Sequence, residues 1–310
     1  MRRTFIQTLM ELAAGNSRIL LLTGDLGYSV LEPFRDAFPG RFFNAGVAEQ
    51  NMIGLATGLA EAGFIPFAYS IATFAALRSY EFIRNGPILH RLPVRIVGTG
   101  GGFDYGEAGP THHALEDVGV MRLQPGITLV IPADCNQVRL ALLSTWNLAG
   151  PVYYRLGKND QTVIPELGGR FALGRAEMIR QGKDLLFISA GTITTEVMAA
   201  SEILAAQGIE CAVMVVSSFN PAPVEDLAQA LAHYRLAVTV EAHYASGALG
   251  SLVSEVVAER KLPCRIVRCG VRTNPSGVIG SERYLRHAEG LSSERLVETI
   301  LGIMQEEGRE

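Results

Sequence analysis

The sequence predicts an α/β protein built from two consecutive three-layer α/β/α domains with mostly parallel sheets. Short apolar runs alternate with helical patterns along the whole chain. The runs are apolar at nearly every position, which is typical of parallel strands buried on both faces. A length of 310 residues suits about two domains, and 48% hydrophobic residues supply a core for each.

The first series of elements fills the N-terminal half. Polar residues interrupt the apolar residues of the first segment, so we expect an amphipathic helix there rather than a signal peptide. Strands are predicted at Ile19–Thr23, Phe42–Ala45, Ile65–Tyr69, Val94–Thr99, Thr128–Ile131 and Val152–Arg155. Helices are predicted between them at Glu49–Ala62, Phe74–Asn85 and Cys135–Asn147.

The pattern pauses at residues 157–183, which are polar, Gly-rich and weakly periodic. We therefore predict a first domain at 1–165, a linker at 166–183 and a second domain at 184–310. In the second domain, strands are predicted at Asp184–Ser189, Cys211–Val216, Leu236–Glu241 and Arg265–Arg268. Helices are predicted at Thr192–Gln207, Val224–Ala232 and Gly247–Glu259.

Charge and cysteine content argue against several classes of protein. The net charge is −4 and no basic run is present, which makes nucleic acid a poor candidate partner. The four cysteines have no CxxC spacing and are expected to be free thiols in a reducing compartment. No stretch approaches the ~18 consecutive apolar residues of a membrane span. We expect a cytoplasmic protein that binds neither nucleic acid nor a membrane.

The segment Phe43–Met52, FNAGVAEQNM, places Glu49 after a turn of small residues at the start of a helix. A glutamate in the first helical turn usually serves only the helix dipole. This segment, however, resembles the glutamate motif of the transketolase family, which includes deoxyxylulose-phosphate synthases and 2-oxo acid dehydrogenase β subunits. In that family the glutamate binds N1′ of the aminopyrimidine of thiamine diphosphate and promotes loss of the thiazolium C2 proton. The resemblance makes Glu49 a candidate catalytic and cofactor-binding residue in an apolar setting.

Two further segments resemble cofactor-binding parts of the same family. In Pro66–Phe74, PFAYSIATF, an aromatic residue is expected to stack on the aminopyrimidine. Phe74 matches the synthase branch without a gap, whereas a match to transketolases proper needs a gap and shifts the role towards Ile71. In Gly24–Ser29, GDLGYS, the resemblance implies that Asp25 and Leu26 line the cofactor.

The segment Gly106–Asp117, GEAGPTHHALED, carries two adjacent histidines after a Gly-Pro turn. Adjacent histidines do not easily both face an apolar core, and loops commonly carry function. The segment resembles the GxxGPTH loop of the family, so His112 is expected to donate a hydrogen bond to a substrate hydroxyl or developing oxyanion. His113 is assigned to substrate binding with it. No matching Cys/His/Asp set accompanies the pair, so no metal site is predicted in this chain.

The resemblance also implies residues for a sugar phosphate. Arg2, Ser29 and Arg155 match the positions of two arginines and a serine that bind this phosphate in transketolases. The phosphate-contacting histidine of transketolases falls at Gly100. We therefore expect an acceptor that differs from the usual aldose phosphates or lacks a phosphate.

One part of the family pattern is missing from this chain. Transketolases bind the diphosphate and Mg²⁺ through a GDG followed by an asparagine, and Gly24-Asp25-Leu26 breaks that motif. The resemblance covers almost the whole chain but only the second half of a full-length transketolase. It implies a separate N-terminal subunit with the GDG…N site, thiamine diphosphate shared between subunits, and an α2β2 heterotetramer.

These motifs predict a transketolase-type transferase that needs its partner subunit and moves a two-carbon ketol unit from a ketose or ketose phosphate to an aldehyde. A deoxyxylulose-phosphate-synthase-like or 2-oxo acid dehydrogenase E1 β-type decarboxylating subunit is the first alternative. GPTHHALEDVGVMR favours the transketolase, and the ungapped Phe74 spacing favours the synthase branch. A non-catalytic scaffold subunit is the second alternative, and the intact set of Glu49, Phe74 and His112 argues against it.

Overall fold

The computed structural model describes residues 1–274 and 277–307. Its first six strands are β1 (Ile19–Thr23), β2 (Phe42–Asn44), β3 (Ile65–Ile71), β4 (Arg95–Thr99), β5 (Thr128–Val130) and β6 (Val152–Leu156). The next six are β7 (Ala176–Arg180), β8 (Leu185–Ala190), β9 (Cys211–Val216), β10 (Ser218–Asn220), β11 (Leu236–Tyr244) and β12 (Arg265–Val271). They form a seven-stranded sheet, β10-β5-β6-β4-β3-β1-β2, and a five-stranded sheet, β12-β11-β8-β9-β7.

Helices cover both sheets, as predicted for an α/β protein. Those of the first half are α1 (Arg2–Gly15), α2 (Glu32–Ala37), α3 (Glu49–Glu61), α4 (Tyr80–Ile83), α5 (Asp117–Arg122) and α6 (Cys135–Thr145). Those of the second half are α7 (Thr194–Ala205), α8 (Val224–Leu231), α9 (Leu249–Arg260), α10 (Glu282–Ala288) and α11 (Ser293–Glu307). Two π-helical turns, Phe74–Arg78 and Arg84–Ile88, flank α4. The predicted fold class of two mostly parallel sheets is confirmed.

The register of the first sheet brings several loops to one edge. β1, β4 and β6 are buried along their whole length, as their continuous apolar runs predict. In the parallel pairs, Thr23 lies opposite Tyr69, Ile71 opposite Thr99, and Thr99 opposite Leu156. Four strands therefore end at the same edge, and the segments that follow them converge there.

The predicted linker at 166–183 is wrong for residues 176–180. These residues form β7, which pairs antiparallel with β9 at the edge of the second sheet. All five residues are only half-buried, so they lack the continuous apolar run that marks the inner strands. β10 was missed as well: this three-residue strand follows β9 but pairs antiparallel with β5 of the first sheet.

The two halves of the chain pack through a common apolar core. That core joins residues such as Ile53 and Ile96 with Ile188 and Leu249. The end of β11 also bonds to the segment around α5: the Tyr244 N–H donates to the Leu115 carbonyl at 2.9 Å. Within residues 1–274 and 277–307, no helix has the length and apolarity needed to cross a membrane.

Candidate active site

Glu49 is the first residue of α3 and points into the first sheet, with 1% of its side chain exposed. The Ser70 hydroxyl donates to Oε1 at 2.8 Å, and Arg78 Nη1 donates to Oε2 at 2.6 Å. A Cβ at Gly24 would lie 3.3 Å from Oε1, so the glycine leaves room beside the carboxylate. The carboxylate is therefore buried as expected, but its setting is polar and includes a counter-charge.

Phe74 links the glutamate cluster to the histidine loop. The Phe74 ring meets the His112 ring edge-on, with the centroids 5.0 Å apart. Arg78 places Cζ 4.3 Å from the centroid of the same ring. Ile71, the alternative to Phe74, is half-buried at the end of β3. Phe74 thus contacts His112 directly and Glu49 through Arg78, and its stacking on the aminopyrimidine stays a prediction.

The two adjacent histidines have different surroundings. His112 is half-buried, and its Nδ1 lies 3.0 Å from the Thr111 hydroxyl. His113 is 4% exposed and packs edge-on against Phe103, with the ring centroids 5.2 Å apart. Burial lowers the pKa of His113, which favours its neutral form. The His113 ring is thus buried in this structure, and its role in substrate binding stays a prediction.

Arg155 was predicted to bind a substrate phosphate, but in this structure its guanidinium bonds within the chain. Arg155 lies within β6, is 7% exposed, and donates from Nε to Asp117 Oδ2 at 2.9 Å. Its Nη2 donates to the carbonyls of Ala114 and Ala242, one in each half of the chain. Although burial alone lowers the pKa of Arg155, the attraction of Asp117 raises it above the ordinary value. The guanidinium is thus part of a buried structural network.

Lys158, which the sequence reasoning missed, lies where Arg155 was expected to act. It follows β6 at the carboxyl edge, and its Nζ lies 4.7 Å from the centroid of the Tyr105 ring. Arg2 donates from Nε to the Lys158 carbonyl at 3.1 Å, so two cationic residues meet here. The position of Lys158 in the sequence could have indicated this role, because residues just beyond a parallel strand reach the site more readily than residues within the strand.

Tyr105 explains why position 100 is a glycine. Gly100 has a φ of +78°, and a Cβ there would lie 2.1 Å from Tyr105 Cε2. The tyrosine ring therefore fills the space that a side chain at position 100 would need. The same ring lies 6.4 Å from His112, centroid to centroid. Tyr105 thus separates His112 from Lys158.

A polar cavity of about 500 Å³ opens beside Lys158. Its lining combines three cationic and three acidic side chains with two amides: Arg2, Arg3, Lys158, Asp104, Asp160, Glu282, Asn159 and Gln161. Burial, together with the neighbouring Asp104, raises the pKa of Glu282 to about 7. Such a lining suits a polar, hydroxyl-bearing molecule better than an apolar one.

The loop after β1 lies beside the glutamate motif. Asp25 has a φ of +58° and accepts at Oδ1 from Asn44 Nδ2 at 2.8 Å, which ties this loop to the end of β2. The Leu26 carbonyl accepts from the Thr23 hydroxyl at 2.8 Å. Ser29 is exposed, and its N–H donates to Glu32 Oε1 at 2.9 Å at the start of α2. The structure thus brings Asp25 and Leu26 near the glutamate motif but shows Ser29 bound to α2.

The arrangement fits the aminopyrimidine end of thiamine diphosphate. A buried carboxylate near a half-buried aromatic ring suits a flat ring with a nitrogen at its edge, and Gly24 allows close approach. Over the described ranges 1–274 and 277–307, no group of three or more His, Cys, Asp or Glu residues is placed to hold a metal ion.

Two family models of transketolase domains match most of this chain. The family model described as the transketolase pyrimidine binding domain matches residues 1–162, and the transketolase C-terminal domain model matches residues 174–295. A 6-deoxy-6-sulfo-D-fructose transketolase subunit from Clostridium sp. (strain MSTE9) is 35% identical over 298 residues, covering 96% of this chain and 92% of the relative.

Two further matches show how far the similarity extends. A solved structure titled "Split gene transketolase, inactive beta4 tetramer" has a TM-score of 0.86 and 35% identity, and the alignment covers 97% of both chains. A 1-deoxy-D-xylulose-5-phosphate synthase from Thermomicrobium roseum (strain ATCC 27502 / DSM 5159 / P-2) is 32% identical over 98% of this chain but only 49% of its own length.

Proposed function

This chain belongs to the transketolase family, and from that premise we propose that it is the C-terminal-half subunit of a split, thiamine diphosphate-dependent transketolase. It transfers a two-carbon ketol unit from a ketose or ketose phosphate to an aldehyde in carbohydrate metabolism. One observation carries the proposal: an unbroken row of contacts runs from Glu49 through Arg78, Phe74, His112 and Tyr105 to Lys158. A scaffold would not need such a row at the carboxyl edge of the sheet.

The residues along this row have different roles in binding and catalysis. Thiamine diphosphate, when bound, supplies the nucleophilic carbon and the electron sink for C–C bond cleavage. Glu49 binds the edge of the aminopyrimidine, and Phe74 packs against its face. His112 donates a hydrogen bond to a substrate hydroxyl or to the oxygen on which negative charge develops. Lys158 and Arg2 give the far end a positive potential for an anionic substrate group.

An exposed apolar surface supports the proposal of a partner subunit. The following side chains around the glutamate motif and α4 are 37–71% exposed: Phe43, Val47, Leu55, Leu77, Phe82 and Leu89. Exposed apolar groups near a site are typical of a protein–protein interface. We place the N-terminal subunit here, with its GDG…N site supplying Mg²⁺ and diphosphate binding at the subunit interface of an α2β2 heterotetramer in the cytoplasm.

Reconstitution tests the proposed function. The full chain is mixed with the N-terminal transketolase subunit of its own host, with thiamine diphosphate and Mg²⁺, and the assembly mass is measured by light scattering. We expect a heterotetramer that binds the cofactor and transfers ketol units from a hydroxyketose donor to aldehydes. A complex that binds no cofactor, or that shows no transfer with any donor and acceptor of a broad panel, would contradict the proposal.

The synthase-type alternative rests on the Phe74 position. The ungapped spacing from Glu49 to Phe74 matches the synthase branch, Phe74 lies against His112, and the synthase relative is nearly as similar in sequence. The same reconstituted complex separates the two reactions. Turnover of a hydroxyketose without release of CO2 from pyruvate supports the transketolase, and the reverse result supports a decarboxylating subunit.

His112 should be needed for turnover. We expect His112→Ala to lower kcat/KM about 100-fold, because the donor to the developing oxyanion is lost. Steady-state kinetics of the reconstituted complex measure this. His233→Ala is the control, because His233 is exposed at the end of α8 and bonds only locally to the Gln229 carbonyl in the second half of the chain. Equal kinetics for the two variants would remove His112 from the mechanism.

Lys158 should lower KM for anionic substrates alone. We expect Lys158→Met to raise KM for a phosphorylated or otherwise anionic substrate about tenfold, with little change for a neutral analogue, because only the charged group uses the ammonium. Lys183→Met is the matched control, since Lys183 forms an exposed pair with Glu210 at 3.3 Å. A similar loss for neutral and anionic substrates would mean that Lys158 serves the fold instead.

A further inference from the structure

Arg78 makes two contacts that draw on different properties of its side chain. Its Nη1 donates to Glu49 Oε2 at 2.6 Å, so its charge neutralises a buried carboxylate. Its planar guanidinium also lies over the Phe74 ring, with Cζ 4.3 Å from the centroid. Phe74 and Arg78 stand at the two ends of one π-helical turn, a conformation often found at functional sites.

These two contacts are the ones that the proposed function assigns to the aminopyrimidine. In both cases a flat, nitrogen-bearing group bonds to Glu49 at its edge and faces the Phe74 ring. We propose that Arg78 is a placeholder for the aminopyrimidine, which holds Glu49 and Phe74 in place in the cofactor-free subunit and leaves when the cofactor binds. The inference rests on the proposed function and adds a positioning residue to that site.

Burial explains why a placeholder is needed. Glu49 is 1% exposed, and a buried carboxylate that loses its partner is costly. Ser70 offers only one neutral hydrogen bond to it. The Arg78 side chain, by contrast, is 37% exposed and can reach solvent without breaking the core. The arginine therefore stabilises the empty site and competes with the cofactor for it.

The first test measures the stability of the full chain alone. In Arg78→Met the Glu49 carboxylate keeps only Ser70, so we expect a melting temperature roughly 3–6 °C below that of the wild type at pH 8. The loss should shrink in Glu49→Gln/Arg78→Met, because a neutral amide needs no counter-charge. Arg78→Lys should lie between the wild type and Arg78→Met. An equal loss with and without Glu49→Gln would overturn the placeholder.

The second test measures cofactor binding by calorimetry. The full chain is assembled with its N-terminal partner and titrated with thiamine diphosphate in the presence of Mg²⁺. We expect Arg78→Met to bind about 3–10-fold more tightly than the wild type, since its competitor is gone. Arg139→Met is the control and should bind like the wild type, because Arg139 lies on α6 and its exposed side chain pairs with Glu11.

The outcomes separate the two proposals. Unchanged or weaker binding by Arg78→Met, with normal wild-type binding, overturns the placeholder and makes Arg78 a cofactor ligand or a bystander. Failure of every assembled complex to bind the cofactor overturns the proposed function itself, and the placeholder with it. Tighter binding, together with a loss of stability that Glu49→Gln relieves, supports both.

Discussion

Glu49→Gln is expected to lower kcat of the reconstituted enzyme about 1,000-fold while leaving the subunits assembled. Glutamine keeps the volume of the side chain and its bond to Ser70 at the Oε1 position, but it neither ionises nor exchanges a proton. A group that holds or moves a proton in the rate-determining step typically contributes 10²–10⁴-fold. Steady-state kinetics under saturating cofactor, together with the assembly mass, measure the two effects separately.

The control for this variant lies on the same helix. Glu61→Gln changes an exposed glutamate at the other end of α3 and should leave kcat unaltered. Because the amide no longer needs a counter-charge, Glu49→Gln should also fold well and melt near the wild type. Wild-type turnover in the Glu49 variant would refute the role of this residue and favour the scaffold hypothesis.

Arg155→Met is expected to destabilise the chain by about 3–5 kcal/mol, a fall of roughly 6–12 °C in melting temperature. The substitution leaves Asp117, which is fully buried, with only the Tyr153 hydroxyl at 2.7 Å. It also removes the bond from Arg155 to the Ala242 carbonyl, which joins the two halves of the chain. Thermal melting of the full chain, followed by circular dichroism, measures the loss.

An exposed ion pair supplies the comparison for Arg155. Arg139 pairs with Glu11 at 2.6 Å, and the two side chains are 46% and 55% exposed. Arg139→Met should cost no more than about 1 kcal/mol, because water screens such pairs. Asp117→Asn/Arg155→Met should lose less than the sum of the single variants, since no buried charge stays unpaired. Near-wild-type melting of Arg155→Met would return Arg155 to the list of substrate ligands.

The sequence by itself determined the fold class and predicted the centre of the candidate site. Continuous apolar runs specify parallel strands buried on both faces, because such runs cannot face water, and this prediction is confirmed. The position of Glu49 at the start of α3 and the spacing to Phe74 are local properties of the chain. The structure keeps this position and this spacing because the strand, turn and helix that carry them are contiguous in the sequence.

Only the tertiary structure decided which nearby side chains face the site. Arg155 and Lys158 are three residues apart, yet one is buried against Asp117 and the other lies over Tyr105. His112 and His113 are adjacent, yet only His113 enters the core. Arg78 meets Glu49 across 29 positions of sequence. These outcomes depend on packing between distant segments, which local patterns of hydrophobicity and charge do not encode.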